Sequence, residues 1–144
     1  MGRILGIDFG DKRLGLALSD ESYTLASPLA VYERKDLQSD LKFLSDLVSR
    51  YQITEIVLGL PVTMDGSLGP KAQQVLEFQK LLEEHVKIPV STFDERLTTA
   101  EAERVLLQAD LSRKKRKARR DALAAVLILQ GYLQTKPTPP APPL

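Results

Sequence analysis

Two short apolar runs near the start, RILGIDF at 3–9 and RLGLALS at 13–19, are separated only by Gly10, Asp11 and Lys12. Each is bounded by turn-forming residues and has the length of a β-strand, so the chain opens as two adjacent strands joined by a turn. A third strand covers about 25–32, LASPLAVY, where Pro28 suggests an edge or a bulge. Leu37, Leu41, Leu44, Leu47 and Val48 then recur at helical spacing, which predicts an amphipathic helix over 37–50. ITEIVLGL at 53–60 is a fourth strand. The loop PVTMDGSLGP follows, with Pro70 suited to the first turn of a helix over about 70–85. IPVSTF at 88–93 is the fifth strand. Thr98 or Thr99 is placed to cap a helix running to about Asp110. A last helix is expected over 119–134, built on Leu123, Val126, Leu127, Ile128 and Leu129.

The order β-β-β-α-β-α-β-α-α implies an α/β domain over 1–135, a mixed five-stranded sheet flanked by helices. The tail, KPTPPAPPL at 136–144, is proline-rich and is expected to be extended and disordered. Gly59 and Gly66 are expected to serve tight backbone geometry, because glycine alone adopts φ > 0 freely.

Composition removes several classes of function. There is no cysteine, so disulfides and thiolate metal sites are excluded. Any metal must be held by oxygen ligands, with His85 the only imidazole; near a helix end, it reads as an ordinary surface histidine. No apolar run approaches the roughly 20 residues of a membrane span, and the start leads straight into a strand. A cytoplasmic protein that does not enter membranes is the expectation.

The net charge of +1 hides an asymmetry. RKKRKARR at 113–120 places Arg113, Lys114, Lys115, Arg116, Lys117, Arg119 and Arg120 in eight positions, while the remaining 13 basic residues face 19 acidic ones. Positive charge concentrated in one stretch of an acidic body suits a local grip on a polyanion. The plain alternative is a solvated loop.

Three acids stand out. Period-two alternation puts Leu5, Ile7 and Phe9 on one face of the first strand and Ile4, Gly6 and Asp8 on the other. A carboxylate in such a strand costs several kcal/mol unless paired or metal-bound, although Asp8 could also simply cap the turn at Gly10. Glu95 lies just past the fifth strand, where open α/β sheets place ligands; a solvated Asp94-Glu95-Arg96 loop is the alternative. Asp121 begins the last helix, where an acid also favours the helix dipole. Together the three could converge above the sheet and hold two metal ions for phosphodiester cleavage. Lys12 and Arg13, in the turn after Asp8, could meet a phosphate. Arg96 could stabilise developing charge or pair with Asp94.

The segments GIDFGDKRLGLALSD (6–20), IVLGLPVTMDGSLG (56–69), FDERLTTAEAE (93–103) and RRDALAAVLILQGYL (119–133) resemble the YqgF/RuvX family. They span nearly the whole chain, in order and at suitable spacing. Family members are described as Holliday junction resolvases or as nucleases that mature the small-subunit ribosomal RNA precursor. The resemblance implies an RNase H-like fold. It also implies a hydrolase of nucleic-acid ester bonds dependent on Mg²⁺ or Mn²⁺, with Asp8, Glu95 and Asp121 as catalytic and metal-holding acids. Precursor 16S rRNA is the favoured substrate, with DNA junctions the alternative and a monomer or homodimer the assembly. Two other classes rank lower. GIDFGDKRLGLAL also resembles the first phosphate loop of actin-like ATPases and sugar kinases, but those need two domains around a cleft. A non-catalytic nucleic-acid-binding module would explain the basic run but has no need of three acids.

Overall fold

The computed structural model describes residues 2–97 and 113–135, with side chains over 2–97 and 122–135. Five strands, β1 (Arg3–Phe9), β2 (Arg13–Ser19), β3 (Ala26–Glu33), β4 (Ile53–Leu60) and β5 (Val90–Asp94), form one sheet in the order β3-β2-β1-β4-β5. β1 pairs antiparallel with β2 and parallel with β4, so the sheet is mixed, as the element order implied. The expected edge at Pro28 is real, because β3 is an outer strand. The bulge is real too: Leu16 pairs with Ala30 and Ala17 with Pro28, leaving Leu29 unpaired. β5 starts at Val90, two residues later than expected. Pro89 has no N–H to give the ladder, although its carbonyl still accepts from Ile56 N at 3.0 Å.

Helix α1 (Leu37–Arg50) begins at Asp36, whose carboxylate accepts from Ser39 N at 2.8 Å and so satisfies an otherwise unpaired helical donor. Helix α2 (Pro70–Val86) has Pro70 at its first position, as expected, and stops at Lys87, which takes the left-handed conformation at φ 60°. His85 is exposed in its last turn. The C-terminal helix α3 (Arg113–Thr135) starts six residues earlier than expected. The basic run is therefore the first part of a helix rather than a connection before one. Lys and Arg are good helix formers, and no Gly or Pro interrupts 113–120. The helix expected after Thr98 or Thr99 and the proline-rich tail lie outside the described residues.

The alternation in β1 separates two cores. Leu5 and Ile7 join Leu14, Leu16, Leu44, Ile56, Leu58, Phe78 and Leu82 beneath α1 and α2, with Phe9 packed at the rim. Ile4 faces the other way, with Ala17, Val57 and Phe93 against Ala125, Val126, Ile128 and Leu129 of α3. α3 lies close because Gly6 has no side chain: a Cβ there would sit 2.7 Å from Leu129 Cβ. At its far end Gln130 bridges to β3, accepting from Ala26 N and donating to Thr24 O, both at 3.0 Å. Those partners lie level with the start of β1. The N-terminal half of α3 therefore points toward the end of β1 that carries Asp8.

Candidate active site

β1, β4 and β5 are parallel, so their C-terminal ends share one edge of the sheet. Asp8 is the penultimate residue of β1 and points to the α3 side, as its alternation with Ile4 and Gly6 requires. Ile7 pairs with Leu58, so Gly59 comes abreast of Asp8 on the neighbouring strand. Glu95 follows β5 directly, in a 3-10 turn over Glu95–Leu97. Its carboxylate lies over Gly59: a Cβ at Gly59 would be 2.5 Å from Glu95 Oε1 and 2.4 Å from Ile128 Cδ1. The expectation that Gly59 serves a positive φ is thus corrected. Among the glycines only Gly66 has one, at φ 87°. Gly59 is small so that a carboxylate and a helix side chain can approach the backbone of β4.

The two acids share an environment. Both are half-buried. Burial raises the Asp8 carboxyl above its ordinary pKa, and the Lys71 ammonium pulls it back down. Glu95 is raised first by burial and then by the charge of Asp8, with Lys71 lowering it and Asp94 raising it further. Each carboxylate is therefore costly to keep ionised because of burial, and Glu95 also because of Asp8.

Lys71 was not singled out in the sequence. It occupies the first turn of α2, directly after the loop that leaves β4 at the Asp8 edge. A cation in a first turn opposes the helix dipole by about 0.3–1 kcal/mol, and the attraction to Asp8 and Glu95 offsets that. Its place beside Pro70 was the available signal.

Arg96 has a defined partner. Its Nη2 and Nε donate to Asp94 at 2.7 and 3.0 Å, and its backbone N–H donates to Asp94 Oδ1 at 2.9 Å. Nη1 also reaches Thr63 O at 3.4 Å. The pair therefore braces the turn that presents Glu95. Lys12 and Arg13 are exposed in the turn after Asp8. Asp121 belongs to α3, one turn before Ala125, but its side chain lies outside the described residues. The same holds for Arg113, Lys114, Lys115, Arg116, Lys117, Arg119 and Arg120. Among the described residues no group of three or more His, Cys, Asp or Glu is arranged to hold a metal ion. Asp8 and Glu95 form a pair.

Comparison with solved structures defines the class. The RuvC protein of Thermus thermophilus, in complex with a Holliday junction substrate, matches with a TM-score of 0.58 at 18% identity, over 93% of this chain and 96% of that one. The fowlpox virus Holliday junction resolvase matches with a TM-score of 0.57 at 15% identity, over 93% and 99%. At such identities the likeness concerns the fold, and the fold is RNase H-like. Residues 2–135 match the RuvX family, described as Holliday junction resolvase, and the chain belongs to that family. A relative from Syntrophomonas wolfei, described as a candidate pre-16S rRNA nuclease, is 51% identical over 131 residues, covering 91% of this chain and 93% of its own. A Moorella thermoacetica relative of the same description is also 51% identical over 131 residues, covering 91% and 94%. Among the described residues, no helix is long and apolar enough to cross a membrane.

Proposed function

We propose that this protein is a metal-dependent nuclease that cleaves precursor 16S rRNA, with Asp8, Glu95 and Asp121 holding the metal ions. The observation that carries the reading is the meeting of Asp8 and Glu95 over Gly59. Two half-buried carboxylates, both raised by burial and Glu95 raised further by the charge of Asp8, are a donor set that a hard divalent cation relieves. The oxygen-only donors fit Mg²⁺ or Mn²⁺ and exclude a thiolate site. Asp121 supplies a third carboxylate from the half of α3 directed toward Asp8.

Such ions, when bound, supply activation of water for in-line attack at phosphorus and stabilisation of the leaving oxygen. The chain's own residues do the positioning. Asp8 is fixed by its ladder to Gly15 of β2. Glu95 is fixed by the Asp94–Arg96 brace on either side of it. Lys71 holds part of the carboxylate charge before a cation arrives. The cations of 113–120 and Lys12 and Arg13 meet the phosphate backbone, without selecting sequence.

A second reading, a four-way DNA junction as substrate, is favoured by the RuvC-like fold and the family's description. Both are tested by incubating the purified protein with precursor 16S rRNA and with four-way junctions, in Mg²⁺, in Mn²⁺ and in EDTA. Metal-dependent cleavage of the precursor is expected. Cleavage of the junction alone would move the assignment to the second reading, and no metal-dependent cleavage of either would overturn both.

A further inference from the structure

Beside the acid pair, the same edge of the sheet carries a cleft around the β1–β2 turn, which places Lys12 and Arg13 of the nuclease reading with further cations. It has a volume of about 430 Å³ and is lined by Asp11, Lys12, Arg13, Glu33, Arg34 and Lys35. Four cations and two acids give it a positive balance. No aromatic side chain lines it, so it offers nothing on which a base could stack.

The wall of the cleft is rigid. Gly10 N–H donates to Arg13 O at 3.0 Å and Arg34 N–H to Lys12 O at 2.9 Å, so the β1–β2 turn is tied on both sides. Arg34 Nη1 donates to Gly10 O at 3.1 Å, and its guanidinium lies 4.7 Å from the centre of the Phe9 ring. Arg34 Nε donates to Asp40 at 3.0 Å. Asp40 is fully buried and also accepts from Lys35 N–H at 3.0 Å. Arg34 is thus balanced by Asp40 and acts as a fixed floor.

The exposed cations differ from it. Arg13 sits opposite Glu33 in the β2–β3 ladder. Lys12 and Lys35 take part in no side-chain hydrogen bond or ion pair among the described residues. Two ammonium groups held at one cleft by a braced turn await an anion. The braced turn is continuous with Asp8, two residues before Gly10, so an anion there lies at the same edge of the sheet as the acid pair.

We infer that this cleft is a subsite for a backbone phosphate of the polynucleotide flanking the bond to be cut, bound by Lys12 and Lys35 with Arg13 at its side. Substrate therefore leaves the acid pair across the β1–β2 turn toward the end of β3, and recognition along this path is independent of sequence. The inference rests on the nuclease reading above.

The test is a fluorescence-anisotropy titration of a labelled precursor rRNA fragment in EDTA, across about 50 to 200 mM salt. It compares the wild type with Lys12→Gln/Lys35→Gln. Both side chains are exposed, so the variant should melt with the wild type. Each lost phosphate contact flattens the slope of log K against log salt by about 0.7 on single strands and 0.9 on duplexes. The double variant should therefore lose about 1.4 to 1.8 units of slope, and in Mg²⁺ the loss should fall on KM. An unchanged slope in a variant whose wild type binds and cleaves would overturn the subsite and leave the nuclease reading standing. A wild type that binds no nucleic acid would overturn both. Inorganic phosphate competing as well as the fragment at equal ionic strength would show an isolated anion site, and would overturn the assignment to a backbone phosphate.

Discussion

The face of the sheet beneath α1 and α2 is filled by large aliphatic and aromatic side chains, whereas the face beneath α3 sets Gly6, Ala17 and Gly59 among Ile4, Val57 and Phe93, and meets Ala125 of the helix. The first is a packed core whose residues can act only through stability. The second brings a helix against the backbone of the central strands and leaves room for Glu95 over Gly59 beside Asp8. Small residues on one face of a sheet can thus be part of a site, because they set how near a helix and a carboxylate approach.

The comparison yields graded predictions. The largest effect should come from Glu95→Gln, which keeps the volume and removes the charge. Cleavage should fall by about 10³-fold or more in a single-turnover assay. Near-wild-type cleavage would take Glu95 out of the site. On the opposite face, Leu44→Ala should cost about 2–5 kcal/mol of stability in urea unfolding, since Leu44 is fully buried. Its rate per folded molecule should stay within about twofold of wild type, because Leu44 packs within the aliphatic and aromatic core beneath α1 and α2. A large loss of rate would blur the division between the faces.

Gly59→Ala should combine the two effects. The new methyl would crowd the ends of the Ile128 and Glu95 side chains, so both must shift, and stability should drop by about 1–3 kcal/mol. Activity should fall more than that stability loss explains, as Glu95 is displaced. A variant that is destabilised but fully active when folded would show that Glu95 does not need its place over Gly59. The smallest effect should come from Lys71→Met. Lys71 lowers both carboxyl pKa values, so without it both rise and the acids ionise only at higher pH. The acidic limb of the kcat/KM profile should move to higher pH, and an unmoved limb would remove Lys71 from the site's electrostatics.

Much of this was legible in the chain. The succession of the first five strands and two helices along the chain, the edge at Pro28, the two faces of β1 and the helix starting at Pro70 all follow from periodicity and from proline's missing donor. What was not legible depends on partners remote in sequence. Lys71 gains its role from Asp8 and Glu95, and Arg34 from Asp40 and Phe9, and no local pattern announces either. Gly59 was misread because a glycine needed for space looks the same in sequence as one needed for φ. The basic run was read as a connection because its charge drew attention from its helix propensity. Asp8 and Glu95 come together in the fold as a pair, and Asp121 remains a proposal.

The most direct test of the account is a calorimetric titration of Mn²⁺ into wild type and Asp8→Asn, with melting of both proteins in the metal-free state. Burial raises the Asp8 pKa, so the folded state is disfavoured by ionised Asp8 at neutral pH; the group's contribution to stability is fully present below its unfolded pKa and is lost as pH rises through the folded value. Asparagine removes the cost. The account predicts that Asp8→Asn loses Mn²⁺ binding and cleavage while its metal-free Tm at pH 7 rises. An Asp8→Asn protein that binds Mn²⁺ as the wild type does and still cleaves would contradict it.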